Sequence, residues 1–300
     1  MRIIKPSFEI WDQQEGLEGV YKQIERSGRV CYKSEDKITE DSAKEFVERM
    51  IKSGHGAMLE HGTVYLKIPY GTMDDRGEFS NEPIVIKYID NPYSVVMNNS
   101  ENDYWYITSN YRVIIENEWI DDLQYLCEPT EFHAKRITVH FVCDRGVSHE
   151  FVRHRVMSFA QESTRYCNYS KDKFGNELTF ILPPWVDERQ LGEQNSQELL
   201  IQIGSLSNPT YTQEDLNELY FLFSLASSEV QYFNLINNGW KPQQARAVLP
   251  NSLKTELVVT GFASDWEHFF ELRDAGSAHP QARELAQPLH KEFIERDYIV

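Results

Sequence analysis

Long hydrophobic runs are missing from this 300-residue chain. The nearest, residues 219–236, is broken by Ser224, Ser227, Ser228, Glu229 and Gln231, short of the roughly 18–20 apolar residues a spanning helix needs. No membrane partner is expected. Cysteine is scarce: Cys31, Cys127, Cys143 and Cys167 form no CxxC pair, and the first residues turn acidic before any signal-like apolar run. Reduced thiols in a soluble, cytoplasmic protein are the expectation. Positive charge is short as well, with 30 Lys and Arg against 47 Asp and Glu and a net charge of −17. Such a field repels polyanions, so a nucleic-acid partner is not expected. There is no repeat, no low-complexity tract and no GxGxxG dinucleotide fingerprint. What is present, 41% hydrophobic and 13% aromatic residues, is ample for a globular core.

Periodicity supplies the elements. Ala43, Phe46, Val47, Met50 and Ile51 form a helical stripe over about 40–53, and Val64, Leu66 and Ile68 alternate as a half-buried strand. Ile137, Val139, Phe141 and Cys143 alternate likewise and read as a matching strand. The intervening residues are turn-rich at 71–81 and strand-like at 84–88 and 104–115, which suggests an insertion into a sheet. Residues 149–160 read as a helix followed by an extended segment to Pro183, and 186–211 as a long surface connection. A helix of about 25 residues follows Thr212, closed by Gly239. Pro242 opens a short helix that Pro250 ends, and 255–260 is strand-like. Ser264 to Glu267 is a capping box, and Pro280 opens a last helix with Ala282, Leu285, Ala286, Leu289 and Phe293 as its apolar stripe. The class is α+β, with a central antiparallel sheet and packed helices, in a single domain over 1–300 carrying an insertion at about 70–136.

One basic island stands out. Residues 135–165 hold Lys135, Arg136, Arg145, Arg153, Arg155 and Arg165 against Asp144, Glu150 and Glu162. It suits either a pocket for a small anion or ordinary pairing with surplus surface carboxylates. On a helix turning about 100° per residue, Arg153, His154 and Arg155 fan too widely to face one ligand. They would lie between two sites or at a subunit contact. In the extended segment, Ser163 and Arg165 would share a face suited to a phosphate or a nucleobase edge. His55 and His61 have metal-like spacing without a third ligand at a supporting interval, so no metal is expected.

Arg153-His154-Arg155, seven residues to Glu162, and then Ser163 form an RHR-x7-S signature. On this signature the chain resembles the flavin-dependent thymidylate synthases. Residues 27–32, Gly54-His55 with Glu60-His61, 245–250 and 269–273 extend the resemblance. It implies conversion of dUMP to dTMP with 5,10-methylenetetrahydrofolate as carbon donor, FAD as bound cofactor and NADPH as reductant. It also implies a homotetramer with FAD and dUMP at subunit junctions. By resemblance Arg273 lies against the uracil edge, where a fixed cation favours the deprotonated ring, and Ser163 bonds the nucleotide near the reacting carbons; these two are the catalytic candidates. Glu150, Arg153, Gln161, Glu162, Arg165 and Arg246 join them around dUMP. The FAD candidates are His55, Glu60, Arg153, His154, Arg155, Gln161, Ser264 and His268. Three departures from the family pattern stand here: Ala160-Gln161 in place of Asn-Glu, Glu150 where some members have Gln, and Phe262-Ala263-Ser264 in place of Asn-x-Arg. Each residue also has an ordinary structural reading: Arg273 paired with Glu271 or Asp274, Ser163 as a turn or cap, Arg165 and Arg246 in salt bridges.

Two rival functions follow from the residues. Cys167, next to Arg165 and Tyr166, would be the nucleophile of a cysteine-dependent thymidylate synthase. Phe151, Phe159, Tyr166 and Tyr169 beside the basic island would make a stacking surface for RNA.

Overall fold

The computed structural model describes residues 1–99, 102–171, 174–203 and 212–299. Two short strands, β1 (Arg2–Ile4) and β2 (Ser7–Trp11), lead into α1 (Gly16–Tyr32), which packs on α2 (Ser42–Lys52). Gly28 lies at that crossing: an added Cβ would meet the Phe46 ring at 2.6 Å, so only a hydrogen lets the two helices close. In α2 the stripe Ala43, Phe46, Val47 and Met50 is buried, while Ile51 falls on the exposed side.

The strand β3 (Thr63–Pro69) alternates as its sequence predicts, with Val64, Leu66 and Ile68 fully buried. Residues 84–88, read as strand-like, instead belong to the helix α3 (Glu82–Ile89), which buries Val85 and Tyr88 three positions apart on one face. After β4 (Val95–Asn99), the strand-like run at 104–115 divides into β5 (Tyr104–Asn110) and α4 (Tyr111–Glu116). Asn110 makes the break, its side chain accepting the Val113 N–H at 3.2 Å as an N-cap. β3, β5 and β4 form one antiparallel sheet with Leu66 opposite Ile107. The expected partnership of β3 with the later strand is therefore corrected, because the segment after residue 70 brings its own strand to β3.

That later strand is β6 (Arg136–Asp144), followed by α5 (Arg145–Phe151), β7 (Ser158–Gln161) and β8 (Thr179–Ile181). The polar stretch 186–211 is not wholly irregular: it carries β9 (Gly192–Glu193) and α6 (Ser196–Ile203), and residues 204–211 lie outside the described residues. Thr212 caps α7 (Gln213–Asn237), accepting the Asp215 N–H at 3.2 Å while Asp215 accepts the Thr212 N–H at 2.9 Å. Gly239 ends it at φ 92°, a region that side chains avoid. The chain finishes with α8 (Pro242–Ala245), β10 (Lys254–Phe262), α9 (Ala263–Arg273) and α10 (Pro280–Glu295).

The central sheet, ordered β2-β6-β10-β7, is antiparallel throughout, with Val139 opposite Val259. α5, α9 and α10 cover one face, where Phe141, Phe151, Trp266, Phe269 and Phe293 bury completely and Phe151 meets Phe269 at 4.9 Å. The expected α10 stripe, Ala282, Leu285, Ala286, Leu289 and Phe293, is buried to the last residue. A third small sheet, β8-β1-β9, packs under α7. The fold class is α+β, as expected. Among the described residues no helix is long and apolar enough to cross a membrane.

Candidate active site

Asp144 ends β6 and caps α5, accepting the Val147 N–H at 2.7 Å. This helix is only seven residues long, so Arg153-His154-Arg155 is not helical, contrary to the sequence reading. The chain turns at Phe151 and His154 and is drawn into β7, where the pairs Ser158–Thr260 and Gln161–Leu257 hold it extended. Sheet pairing overrides the helical pattern. The turn buries His154 against Phe269, ring centroids 4.9 Å apart, and leaves Arg153 and Arg155 exposed.

His154 Nε2 accepts the Arg273 Nε–H at 3.1 Å, which fixes the tautomer with its proton on Nδ1. Burial, then the Arg273 charge and His268, lower its pKa to about 4, so the ring is neutral near pH 7. Arg273 also donates from Nη1 to Glu150 Oε2 at 2.8 Å and from Nη2 to the Glu150 carbonyl at 2.9 Å. The ordinary alternatives for Arg273 are used elsewhere: Asp274 pairs with His290 at 2.7 Å, and Glu271 with His268 at 3.1 Å. Glu150, Arg273 and His154 thus form one assembly at the end of α9, and Glu150 borders a cleft of about 310 Å³ with Trp185, Asn251 and His279.

The second half of the signature is a turn rather than an extended segment. Tyr166 and Cys167 both donate N–H to the Ser163 carbonyl, at 3.1 and 2.9 Å, and Ser163 Oγ accepts the Arg165 N–H at 3.3 Å. Ser163 and Arg165 therefore do not share a strand face. Gln161 donates to Ser148 Oγ at 2.8 Å and to Thr255 Oγ1 at 3.2 Å. Glu162 is buried, accepting from Tyr169 at 2.9 Å and from Lys254 at 2.9 Å. Arg246 is exposed and reaches Thr164 Oγ1 at 3.3 Å.

A larger cleft, about 550 Å³, is lined in part by residues 155–158 of the signature segment. Glu60, Arg112, Arg136, Arg155, Phe262 and Asp265 are among its lining residues. Of the expected FAD residues it therefore gathers Glu60 and Arg155. His55 and Ser264 are exposed and do not line it. His268 is exposed and bonded to Glu271. The expected box at Ser264 is displaced: the Phe262 N–H is capped by Asp265 at 2.9 Å, which starts α9 at Ala263. His61 is fully buried, with Nδ1 2.8 Å from Thr260 Oγ1, and burial followed by the Arg136 charge brings its pKa down to about 3.

Sequence reasoning gave Arg112 and Asp265 no site role and placed Arg136 only in the basic island. The signal for Arg112 was its i, i+4 spacing to Glu116, a helical pair now seen at 2.7 Å.

A family described as thymidylate synthase complementing protein matches residues 86–297. The chain belongs to this family. Its curated relatives carry the name flavin-dependent thymidylate synthase. That of Mycobacterium avium is 34% identical over 142 residues, 47% of this chain and 50% of the relative. That of Pyrococcus furiosus is 27% identical over 157 residues, 52% of this chain and 53% of the relative. Both matches thus span about half the relative's length. The protein of Corynebacterium aurimucosum is 24% identical over 293 residues, 97% of this chain and 82% of the relative. Among solved structures, a UMP/dUMP methylase PolB from Streptomyces cacaoi, bound with 5-Br dUMP, covers 98% of this chain and 93% of its own at 16% identity and a TM-score of 0.40. Similarity at that level carries no argument about ligands.

Proposed function

We propose that this chain is a flavin-dependent thymidylate synthase that methylates dUMP reductively to dTMP without a cysteine nucleophile. Membership of the family is the observation that carries this reading. When bound, FAD reduced by NADPH supplies hydride, and 5,10-methylenetetrahydrofolate supplies the carbon. The residues fit a flavin nucleotide: the 550 Å³ cleft has a size suited to a large ligand and offers guanidinium donors from Arg112, Arg136 and Arg155.

In this reading Arg273 lies at the pyrimidine and holds a fixed positive charge where negative charge develops on the ring. His154 accepts its Nε–H while neutral, so the guanidinium is oriented without adding a second charge. Glu150 shares Arg273, and an incoming pyrimidine competes with it for the same donors. Arg153, Arg165 and Arg246 are exposed cations suited to the dUMP phosphate, with Ser163, Gln161 and Glu162 between them. Glu60, Arg155 and Arg153 face FAD, joined by His55, His154, Gln161, Ser264 and His268. Within one chain these residues fall into separate groups, which supports sites completed by a second copy in a homotetramer of single-domain, cytoplasmic chains.

Cys167 is 1% exposed, poorly placed for attack on a ring in solution-facing clefts. The test is dTMP formation by the purified protein given dUMP, FAD, NADPH and 5,10-methylenetetrahydrofolate. Turnover that vanishes when FAD is withheld supports the reading, and absence of dTMP under the full mixture overturns it.

A further inference from the structure

Arg136, the first residue of β6, borders the 550 Å³ cleft, and its surroundings are unlike those of the other cations there. Its Nη1 donates to the Glu60 carbonyl at 2.7 Å and to Thr63 Oγ1 at 3.3 Å, and its Nη2 to Ser158 Oγ at 3.2 Å. All three acceptors are neutral. Among the described residues no carboxylate forms an ion pair with Arg136. Arg112 on the same cleft, by contrast, is held between Glu60 at 2.6 Å and Glu116 at 2.7 Å.

A guanidinium taken partly out of water and left with neutral acceptors is costly to keep charged. Burial lowers the Arg136 pKa to about 10, which still leaves it a cation at neutral pH. The carboxylates of Glu60 and Asp265 on the same cleft favour its charge, but both are engaged elsewhere, Glu60 with Arg112 at 2.6 Å and Asp265 with the Phe262 N–H at 2.9 Å. Arg155, exposed on the same cleft, adds a second cation. Arg136 thus lines the cleft beside a second cation with no ion pair of its own, and a planar guanidinium is well matched to phosphate oxygens.

We propose that Arg136 is an anion-binding residue of this cleft, taking with Arg155 a phosphate of the ligand bound there. Resting on the function proposed above, that ligand is FAD and the group is its diphosphate.

The test is equilibrium binding, read by flavin fluorescence, of FAD and of riboflavin, which lacks phosphate, to the apo-protein and to its Arg136→Gln and Arg136→Lys variants. Arg136→Gln is expected to weaken FAD by about ten- to a hundredfold with riboflavin unchanged, and Arg136→Lys to fall between. Unchanged FAD affinity in Arg136→Gln overturns the assignment, as does an equal loss for FAD and riboflavin. Should the Gln variant not fold, inorganic pyrophosphate at millimolar concentration decides on the unaltered protein: competition with FAD supports the proposal, and none overturns it. A wild-type protein with no affinity for any flavin refutes the function proposed above. In that case calorimetric binding of pyrophosphate, weakened in Arg136→Lys, still supports Arg136, and its absence overturns it.

Discussion

His154 shows how a single side chain ties the site to stability. Its pKa is about 4 in the folded chain against 6.5 when unperturbed. Above pH 6.5 both folded and unfolded chains hold it neutral, and its contribution does not vary. Between 6.5 and 4 the unfolded chain takes up a proton that the folded chain refuses, so stability falls as pH falls. The loss is complete below about 4 and amounts to roughly 3 kcal/mol. His61 acts in the same direction, extending the window to about pH 3. Urea unfolding followed from pH 7 to 4 is expected to show a steep decline in the wild type and a shallower one in His154→Gln. Equal slopes would mean that His154 already titrates normally in the fold.

At the scale of the element, the contact between α1 and α2 makes a direct demand on one residue. Gly28→Ala would set a methyl 2.6 Å from the Phe46 ring, and both helices belong to one buried cluster. A destabilisation of about 1–3 kcal/mol is expected from such overpacking, measured as a lowered denaturant midpoint, whereas a midpoint unchanged from wild type would show that the helices part freely. The elements most legible in the sequence are those whose own pattern suffices: α7 with Thr212 before it and its Gly239 stop, α10 with its stripe, and the alternation of β6. Those that escaped are set by tertiary partners. In α3 a β-branched run of Ile84, Val85 and Ile86 mimics a strand, and only Pro83 near its start and the spacing of Val85 to Tyr88 mark a helix. Around the signature, Val147 and Phe151 invite a longer helix, but pairing of β7 to β10 ends it at Phe151. The signature residues were legible as a motif; their turn geometry, which buries His154 and exposes both neighbouring arginines, was not.

At the scale of the whole molecule, residues 70–136 are integral to the sheet that carries β3, and through Arg112 they also wall the larger cleft beside Glu60. No local pattern could disclose this, since it depends on which strand meets β3. The proposed site residues stand in separate groups in one chain, and the homotetramer reading accounts for that. Light scattering in solution is expected to give four times the chain mass of 35.2 kDa, while a monomer that still makes dTMP would contradict sites shared between copies. The central claim is that a guanidinium, and not sulfur, activates the pyrimidine. Its most direct measurement is release of tritium from dUMP labelled at C5 by FAD-loaded protein. Cys167→Ala is expected to retain release and Arg273→Ala to lose about a hundredfold or more. Release abolished in Cys167→Ala, or intact in Arg273→Ala, would contradict it.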